Sequence, residues 1–481
     1  MPQSIDRTGL AGVRILAVLT LLAGRVALAA PQPDVLFIAV DDLNDWVGVL
    51  GGHPQTKTPN IDRLAARGMT FTNAHSPSAL CNPSRTALLT GLRPATSGVY
   101  GNEPDWRTAR PFERITTLPR HFRDAGYRTL GGGKIFHAHT FAESGFAGYN
   151  DTTAWDAFYP SLERQLPDEI GPPVRPTNKN PWVAGFDWWP LVAEDAALGD
   201  GQVVTWAERQ LLAETGTPRF VAVGLFRPHL PWYVPERYFA MHPLADVELP
   251  RVSENDLDDV PAIARKGSFR STELHEWVVQ EQKWKEGVQA YLASVSFADA
   301  MVGRILDALD ASGRADNTVI VLFGDHGFHL GEKARWRKMT LWEESTRVPL
   351  IVVAPGVTTP GSTSSTPVSL MDIYPTLDDL AGLDTPKHVE GETLLPLLRD
   401  PAARRDHPAV ITYGYNNHAV RSERYRYIRY ADGSEELYDH DADPDEWHNL
   451  AGDPRFESVK SDLKRWVPRK NAPSLSADAN D

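Results

Sequence analysis

The apolar residues of the chain fall into short uninterrupted runs that alternate with longer amphipathic segments. Runs rich in valine, isoleucine, leucine and phenylalanine occupy residues 35–40, 219–226 and 317–324. Their length and composition predict strands that are buried on both faces. Between the last two runs, residues 288–313 repeat apolar positions at helical spacing and end in a glycine. A strand, a helix and a strand in this order predict a parallel α/β sheet with right-handed crossovers.

The sequence pattern changes after the stretch DPAARRDHP at residues 400–408. Beyond it the apolar runs are short, alternate with polar residues and contain many aromatic side chains, and Asp432 and Gly433 form a hairpin-turn signal. The expected parts of the chain are a large α/β domain (30–402), a small antiparallel-sheet domain (403–470) with a helix near 455–467, and a disordered tail (471–481).

One segment, residues 140–200, fits neither pattern. It is rich in tryptophan, proline and aspartate and shows no clear period. We expect it to form an irregular insertion near the functional site.

The N-terminus has the layout of a secretory signal peptide. Arg7 and Arg14 precede an apolar run at 15–24, and small residues at 27–29 provide a cleavage site. The run is too short to span a bilayer as a permanent helix, and no later stretch is apolar for long enough. We therefore expect residues 1–29 to be removed on export to the periplasm or the medium, and no transmembrane segment in the mature protein.

The chain is acidic, with a formal net charge of −14. Loss of the predicted signal peptide, which carries three arginines and one aspartate, changes this charge to −16. Binding of nucleic acid requires a basic face, so the charge argues against that class of partner. A local basic pocket can still attract a small anion, because distant charges are screened. The single cysteine, Cys81, excludes an intramolecular disulfide.

Ionisable residues follow each predicted buried strand, and they also follow a fourth run, YRTLGGG at residues 127–133. In an open parallel sheet, ligands bind beyond the carboxyl ends of the strands, so we expect these residues to meet at one edge. The residues concerned are Asp41 and Asp42, Lys134 and His137, His229, and Asp325 and His326.

Three of these side chains are carboxylates that would crowd together beside an imidazole. Taken singly, each acidic pair could cap a helix or lie in a surface turn. Together they attract a divalent cation, because crowded acids need a positive partner or take up protons. The carboxylates favour Ca²⁺ or Mg²⁺, and the imidazole leaves Mn²⁺ and Zn²⁺ open.

Cys81 precedes Pro83 and a segment with the composition of a first helical turn. A group at this place would lie at the positive end of a helix dipole, near free backbone N–H groups. The residues alone leave three interpretations: a thiolate nucleophile paired with a histidine, a chemically modified cysteine, and a buried inert cysteine. Of these interpretations, the buried inert cysteine is the least consistent with its polar neighbours Asn82, Ser84 and Arg85.

The stretch CNPSRTALLTG (81–91) resembles the signature of the type I sulfatases, in which the cysteine is oxidised after synthesis to Cα-formylglycine. The resemblance covers nearly the whole mature chain. The stretches GKIFH (133–137), RPHLP (227–231) and GDHGFHLGEKARWRK (324–338) are most similar to the iduronate-2-sulfatase-like branch. The resemblance implies an alkaline-phosphatase-like sulfatase fold, with a large, mostly parallel central sheet flanked by helices and a small C-terminal α+β domain with an antiparallel sheet.

The resemblance also implies a metal site and a modified nucleophile. The metal ligands would be Asp41, Asp42, Asp325, His326 and the modified Cys81, with Ca²⁺ as the expected ion and another divalent metal as the alternative. One hydroxyl of the hydrated formylglycine would attack sulfur, and the other would help to expel sulfate. Formation of this residue needs a partner, a formylglycine-generating or sulfatase-maturating enzyme.

Five further residues receive catalytic roles from the resemblance. Arg85 would contact the formylglycine or the metal-binding acids. Lys134 and Lys338 would bind the sulfate oxygens. His137 would orient or deprotonate the formylglycine hydrate, and His229 would bind the substrate and protonate the leaving alcohol.

Two features depart from the commonest family pattern. Many sulfatases have asparagine where this chain has His326, and Lys-x-His where it has KIFH at 134–137. Both departures fit the iduronate-type branch, and the imidazole widens the choice of metal.

The expected substrate is a sulfate ester of a carbohydrate, and the branch suggests a 2-O-sulfated uronic acid of a glycosaminoglycan or an algal polysaccharide. The basic run Lys333, Arg335, Arg337 and Lys338, interleaved with Trp336, would either face such a polyanionic sugar or form a solvated loop. Three alternatives stay open: a phosphodiesterase or phosphonate monoester hydrolase of the same superfamily, a cysteine hydrolase with unmodified Cys81, and an inactive glycan-binding protein.

Overall fold

The structure is a computed structural model that describes residues 32–138, 148–175, 177–181, 183, 185–266 and 271–475. The predicted signal peptide, residues 1–29, lies outside the described residues, and so does the predicted tail from residue 476. Within the described residues, no helix is both long enough and apolar enough to cross a membrane.

Strands and helices alternate along most of the chain. The strands are β1 (Asp34–Val40), β2 (Met69–His75), β3 (Arg128–Gly133), β4 (Ala157–Tyr159), β5 (Trp188–Leu191), β6 (Arg219–Leu225), β7 (Trp232–Pro235), β8 (Thr318–Gly324), β9 (His329–Leu330), β10 (Trp336–Arg337), β11 (Arg347–Val353), β12 (Ser362–Ser364), β13 (Val368–Ser369), β14 (Ala409–Thr412), β15 (His418–Arg421), β16 (Tyr425–Arg429) and β17 (Glu435–Asp439). The helices are α1 (Pro59–Ala65), α2 (Cys81–Thr90), α3 (Pro94–Ser97), α4 (Leu118–Asp124), α5 (Gly199–Leu212), α6 (Glu236–Ala240), α7 (Ala262–Lys266), α8 (Ser271–Gln280), α9 (Trp284–Ala311), α10 (Glu343–Thr346), α11 (Ile373–Ala381), α12 (Leu395–Arg399) and α13 (Glu457–Lys464).

Nine strands in the described part of the chain form the central sheet, in the order β12-β2-β11-β8-β1-β6-β3-β4 with β13 beside β2. Neighbours pair in parallel except at β11, which runs antiparallel to both β2 and β8. Val40 at the end of β1 lies opposite Leu225 of β6 and Gly324 of β8. The residues that follow these three strands therefore start at the same edge of the sheet. The predicted large, mostly parallel sheet is confirmed.

The inner strands are buried on both faces because their apolar side chains alternate between two cores. In β1, Leu36 and Ile38 belong to one core, and Val35 and Phe37 belong to the other. The first core contains the long helix α9, and the second contains α2, α4 and α11. Full burial of a side chain of this size stabilises the fold by about 1.5–3 kcal/mol. The two cores thus explain why uninterrupted apolar runs predicted these strands.

The last four strands form a separate antiparallel sheet in the order β14-β15-β16-β17. The predicted turn at Asp432 and Gly433 connects β16 to β17, and Gly433 has a φ of +87°, which glycine adopts without steric cost. One face packs on α13 and the other on Trp342. The final helix is shorter than predicted, because a 3₁₀ turn at Pro454–Phe456 precedes it. The small antiparallel sheet is confirmed, and its boundary at residues 402 and 403 stays a prediction.

Residues 471–475, the described start of the predicted tail, run beside α3. The N–H of Ala472 donates to the carbonyl of Ala95 at 2.7 Å, and the N–H of Leu475 donates to that of Gly98 at 3.0 Å. These two bonds tie the described part of the tail to the segment that follows α2.

The segment 140–200 is irregular over most of its described length, but it also contains β4, β5 and the start of α5. The strand β5 pairs in parallel with β7, which closely follows His229. Gln165 ties the segment to the residues after β3, since its Oε1 accepts from the N–H of Phe136 at 3.1 Å and its Nε2 donates to the carbonyl of His137 at 3.2 Å. The insertion therefore supports the edge where the candidate residues lie.

Candidate active site

The structure brings the ends of neighbouring strands together at the carboxyl edge of the sheet. Asp41 follows β1, Lys134 follows β3 and Asp325 follows β8, and all three side chains are buried. Backbone hydrogen bonds continue the sheet into these residues. The N–H of Asp41 donates to the carbonyl of Leu225 at 3.1 Å, and that of Asp325 donates to Val40 at 3.2 Å. The pairing of the strands therefore fixes where these side chains begin.

Asp42 has left-handed backbone geometry, with a φ of +60°. This conformation costs about 1–2 kcal/mol for most residues and less for aspartate. Two contacts hold it: the N–H of Asp42 donates to Oδ1 of Asp325 at 3.1 Å, and the hydroxyl of Tyr291 on α9 donates to the carbonyl of Asp42 at 2.8 Å. The turn after β1 is thus fixed from β8 and from α9.

Cys81 is the first residue of α2, as the sequence predicted, and its side chain is buried. Its Sγ atom lies 3.2 Å from Nε2 of His326, 3.4 Å from Nζ of Lys338 and 3.9 Å from Nζ of Lys134. Burial by itself would raise the pKa of the thiol, but the two ammonium groups lower it to about 7. The position therefore favours an anionic or strongly polarised group.

Arg85 lies one turn further along α2 and is buried among acidic and carbonyl oxygens. Its Nε donates to Oδ2 of Asp325 at 2.7 Å, and one terminal nitrogen donates to Oδ1 of Asp41 at 3.2 Å. The other terminal nitrogen donates to the carbonyls of Lys134 and Ile135. Burial opposes the charge, yet the two carboxylates raise the pKa of the guanidinium above its usual value. Arg85 therefore connects α2 with the ends of three strands.

The two lysines are each paired with one of the first two acids. Lys134 donates to Oδ2 of Asp41, and Lys338 donates to Oδ1 of Asp42. Burial opposes ionisation of Asp41, but the charges of Lys134 and Arg85 lower its pKa well below the usual value. Burial also opposes the charge of Lys338, and the Asp42 carboxylate raises the pKa of this lysine. Both lysine side chains therefore flank position 81.

The acids and the imidazole form a donor set that fits a divalent cation. Single ligand atoms of Asp41, Cys81, Asp325 and His326 lie within 4.8 Å of one another. Oδ2 of Asp42 is buried and accepts no hydrogen bond from any described residue. Burial raises the pKa of Asp325 to about 7, and Asp325 in turn raises the pKa of His326 to about 9 against the effect of burial. A cation among these groups would relieve the unfavourable burial of the carboxylates.

The two other predicted histidines are also buried near the lysines. Nε2 of His229 lies 4.0 Å from Oδ2 of Asp42, and its Nδ1 lies 2.5 Å from the carbonyl of Leu230. Burial and then Lys338 lower the pKa of His229 well below its usual value. Burial and then Lys134 do the same for His137. Both rings are thus neutral in this state, and their catalytic roles stay predictions.

The predicted basic run divides between structural and site positions. Lys333 donates to Asp256, and Arg335 donates to the hydroxyl of Thr272 at 2.8 Å, so both are held in the protein interior. Trp336 is fully buried in the core. Arg337 lies beside Lys338, where burial lowers its pKa and the charges of Asp42 and Cys81 raise it. The run is therefore no continuous cationic surface, and only its last two residues belong to the site.

Sequence reasoning missed two residues that position the site. Tyr291 occupies the apolar face of α9 and gives no sign of its contact with Asp42, which depends on packing between distant segments. Ser84 lies within the recognised motif, and its hydroxyl donates to the carbonyl of Asp325 at 2.6 Å. The motif contains Ser84, but only the fold shows what its hydroxyl contacts.

Comparison with known families places most of the described chain in two regions. Residues 33–383 match the sulfatase family. Residues 331–472 match the C-terminal region of N-sulphoglucosamine sulphohydrolase, which includes the small antiparallel sheet.

Relatives of named activity or family match most of the chain. A sulfatase of Formosa agariphila is 39% identical over 98% of this chain and 93% of its own length. An ulvan-active sulfatase of the same organism is 29% identical over 92% of this chain and 81% of its own length. The iduronate 2-sulfatase of Homo sapiens is 30% identical over 73% of this chain and 70% of its own length.

Solved structures share the fold. A protein solved with its substrate D-glucosamine-2-N,6-O-disulfate has a TM-score of 0.71 and 23% identity, and the match covers 91% of this chain and 97% of that one. The phosphonate monoester hydrolase of Silicibacter pomeroyi has a TM-score of 0.73 and 22% identity, and covers 90% of this chain and 94% of that one. At these identities the likeness confirms the alkaline-phosphatase-like fold.

Proposed function

The chain belongs to the sulfatase family, and from this premise we propose that it removes sulfate from a carbohydrate with a formylglycine made from Cys81 and a divalent metal ion. The observation that carries the proposal is the position of Sγ of Cys81, which lies within 3.9 Å of both Lys134 and Lys338 and 3.2 Å from His326. Two cations beside the nucleophile position can hold the charge of a sulfate group and stabilise the charge that develops in the transition state.

Asp41, Asp42, Asp325, His326 and the modified residue 81 would hold the metal. Their oxygen donors favour Ca²⁺, and the imidazole admits another divalent ion. When bound, the ion would supply Lewis-acid polarisation of the ester and a template for its orientation. A formylglycine at residue 81 would supply, as its hydrate, an oxygen nucleophile for the sulfur of the ester.

The remaining residues would bind the sulfate and move protons. Lys134 and Lys338 would bind sulfate oxygens, and Arg85 would keep position 81 in register with the acids. Buried and neutral, His137 can accept a proton from the hydrate or orient it. His229 bonds the Leu230 carbonyl through Nδ1, so Nε2 is the ring nitrogen that can deliver a proton to the leaving alcohol. It would take up that proton when an anionic substrate offsets the charges of the lysines.

For the substrate we propose a 2-O-sulfated uronic acid in a glycosaminoglycan or an algal polysaccharide. The support comes from relatives named for iduronate and for ulvan. A second support is Arg337, which directly precedes Lys338 in the chain. The charges of Asp42 and Cys81 act on its guanidinium. A planar guanidinium binds a carboxylate through two parallel hydrogen bonds. A uronic acid would present its carboxylate to Arg337 while its sulfate lies between the lysines.

The main rival is a phosphonate monoester hydrolase, because one such enzyme shares the fold with a TM-score of 0.73. Parallel kinetics on an aryl sulfate and an aryl phosphonate monoester separate the two, and a large preference for phosphorus would favour the rival. A cysteine hydrolase would lose activity on thiol alkylation and keep it with a chelator. An inactive glycan-binding protein would show no turnover at all.

We also propose that residues 1–29 direct export to the periplasm or the medium, on the basis of their basic start, apolar run and cleavage site. Conversion of Cys81 would require a formylglycine-generating or sulfatase-maturating enzyme in the producing cell. Expression without that partner would leave cysteine at position 81, so the choice of host determines activity.

The experiment that tests the proposed function measures sulfate release from defined sugars. The protein, produced in its own host, is given a disaccharide with a 2-O-sulfated uronic acid and a matched disaccharide sulfated only on the hexosamine. Faster release from the first supports the proposed substrate, and the Cys81→Ala variant should release no sulfate from either. Equal release from both sugars would contradict the uronate assignment, and release by Cys81→Ala would contradict the nucleophile.

A further inference from the structure

A cavity of about 820 Å³ lies between the edge of the central sheet and the C-terminal helix α13, and the proposed mechanism does not use it. Its walls come from residues 363–367, which include the end of β12, from the loop 401–408, and from residues around the end of α13. We call it the distal cavity.

The distal cavity is separate from the candidate active site. The strand β12 lies three places from β8 in the sheet order, and β8 leads to Asp325. At about 4.8 Å per strand, this separation is about 14 Å across the sheet. None of the residues given catalytic or metal-binding roles lines the distal cavity. A ligand there would leave the candidate active site open.

Three arginines and three acids line the distal cavity, and two of the arginines are exposed; the acids are Asp406, Glu423 and Asp462. Arg404 is exposed and makes no hydrogen bond or ion pair with any residue that the structure describes. Arg465 is 64% exposed, and its nearest acid is Asp462 at 3.9 Å. Arg405 is the exception, because it donates to Asp372 at 2.7 Å. Arg404 and Arg465 can therefore present guanidinium groups to a sulfate or a carboxylate.

The rest of the lining suits a sugar ring with many hydroxyl groups. Trp466 is half-buried, with the His407 ring 4.9 Å away and the Arg465 guanidinium 5.6 Å from its own ring centre. Ser365 donates to Glu423 at 3.2 Å, so this wall carries both a hydroxyl and a carboxylate acceptor. Aromatic side chains cover the apolar face of a ligand, and a few convergent polar groups fix its orientation.

We propose that the distal cavity binds a second, sulfated stretch of the saccharide chain whose ester is cleaved at position 81. The identity of this ligand rests on the proposed function, whereas the preference for an anionic saccharide rests on the arginines and Trp466. Two linked contacts on one chain raise the overall affinity, because the second binding event is intramolecular. Long sulfated chains should therefore bind more tightly than short ones with the same terminal sugar.

The test compares two double variants that lose the same charge, both in a Cys81→Ala background that prevents hydrolysis. Arg404→Ala with Arg465→Ala changes the distal cavity, whereas Arg209→Ala with Arg455→Ala removes two exposed arginines elsewhere. The probe is a sulfated glycosaminoglycan dodecasaccharide, and its desulfated counterpart is the second arm. Calorimetry should show at least about a tenfold loss of affinity for the sulfated probe in the cavity variant, because two charge-assisted contacts are lost, and little loss in the control.

Equal affinities in the two double variants, or equal binding of the desulfated probe, would overturn the proposal. A second pair of variants, Trp466→Phe and Trp466→Ala, tests whether the aromatic ring of Trp466 packs on the sugar. Only Trp466→Ala should weaken binding of the probe. Turnover of a small aryl sulfate by the Cys81-intact protein should stay within about twofold in the cavity variant, since β12 and β8 lie about 14 Å apart across the sheet and no residue of the candidate active site lines the cavity. A protein without sulfatase turnover that still binds the probe would refute the proposed function and leave the distal cavity as a saccharide site.

Discussion

The Nε atom of Arg85 lies 2.7 Å from Oδ2 of Asp325, and both side chains are almost wholly buried. This contact joins the first turns of α2 to the end of β8. A second bond from the same guanidinium reaches Asp41 at 3.2 Å. Arg85 is therefore a positioning residue that keeps position 81 beside the acids. Its removal should lower both the stability and the activity of the protein.

We expect Arg85→Ala to lower the free energy of unfolding by about 3–5 kcal/mol, because it leaves two buried carboxylates without their partner. The matched control is Arg63→Ala. The ion pair of Arg63 with Asp307 is 40% and 67% exposed, so its loss should cost less than about 1 kcal/mol. Guanidinium unfolding of the two variants measures the difference. Similar losses in both would show that the buried network does not hold α2 in place.

Tyr291→Phe removes the hydroxyl that donates to the carbonyl of Asp42 and should weaken metal retention. The control is Tyr374→Phe, since the hydroxyl of Tyr374 donates to the carbonyl of Thr116 at 3.0 Å, away from the site. Both variants should lose about 1 kcal/mol of stability. Only Tyr291→Phe should lose metal on dialysis, as measured by elemental analysis. Equal metal contents in the two proteins would remove Tyr291 from the positioning residues.

His229→Ala should slow the release of a sugar alcohol more than that of a nitrophenolate. An alcohol needs a proton as it leaves, and general acid catalysis contributes about 10²–10⁴-fold, whereas a nitrophenolate leaves readily without one. His242→Ala, which changes a buried histidine bonded to Ser296, should leave the ratio of the two rates unchanged. An equal loss on both substrates in His229→Ala would assign this residue to binding instead of proton transfer.

Asp34 links the start of the sheet to two arginines and makes stability depend on acid pH. Burial would raise its pKa, but hydrogen bonds from Arg314 and Arg219 lower it below the usual value. The contribution of Asp34 to folding stability is therefore complete above the pKa that the carboxyl has in the unfolded state. It is lost as the pH falls through the lower pKa of the folded state. The stability deficit of Asp34→Asn should be constant from about pH 7 to 5 and should shrink below about pH 4.

Denaturant unfolding at several pH values measures this trend. Asp307→Asn changes an exposed pair and should cost less than about 1 kcal/mol throughout. A deficit of Asp34→Asn that grows toward acid pH would contradict the assigned sign.

The sequence predicted the inner strands because burial on both faces leaves an uninterrupted apolar run, as in β1 and β8. It did not predict the antiparallel direction of β11, since a buried strand has the same pattern in either direction. The sequence did not predict the four-residue strand β5, because its buried and exposed positions do not alternate. The parallel pairing of β5 with β7 depends on contacts between distant segments, which a local pattern does not contain.

The candidate site was predictable where residues follow strands or lie in a motif. Asp41, Asp325 and Lys134 meet because the strand register aligns the ends of their strands. The contact between Tyr291 and Asp42 was not predictable, because the pattern marks Tyr291 only as part of an apolar helix face. The interior positions of Lys333 and Arg335 also contradict the simple expectation that a run of cations faces outward.

The most direct test is mass spectrometry of the tryptic peptide that spans residue 81, prepared from active protein of the native host, together with the metal content of that protein. The account predicts an aldehyde at residue 81 that reacts with a hydrazide, loss of the sulfur of residue 81 while that of Met69 in the same peptide is kept, and a divalent ion bound to the protein. Active protein with an intact thiol at residue 81 and no bound metal would contradict it.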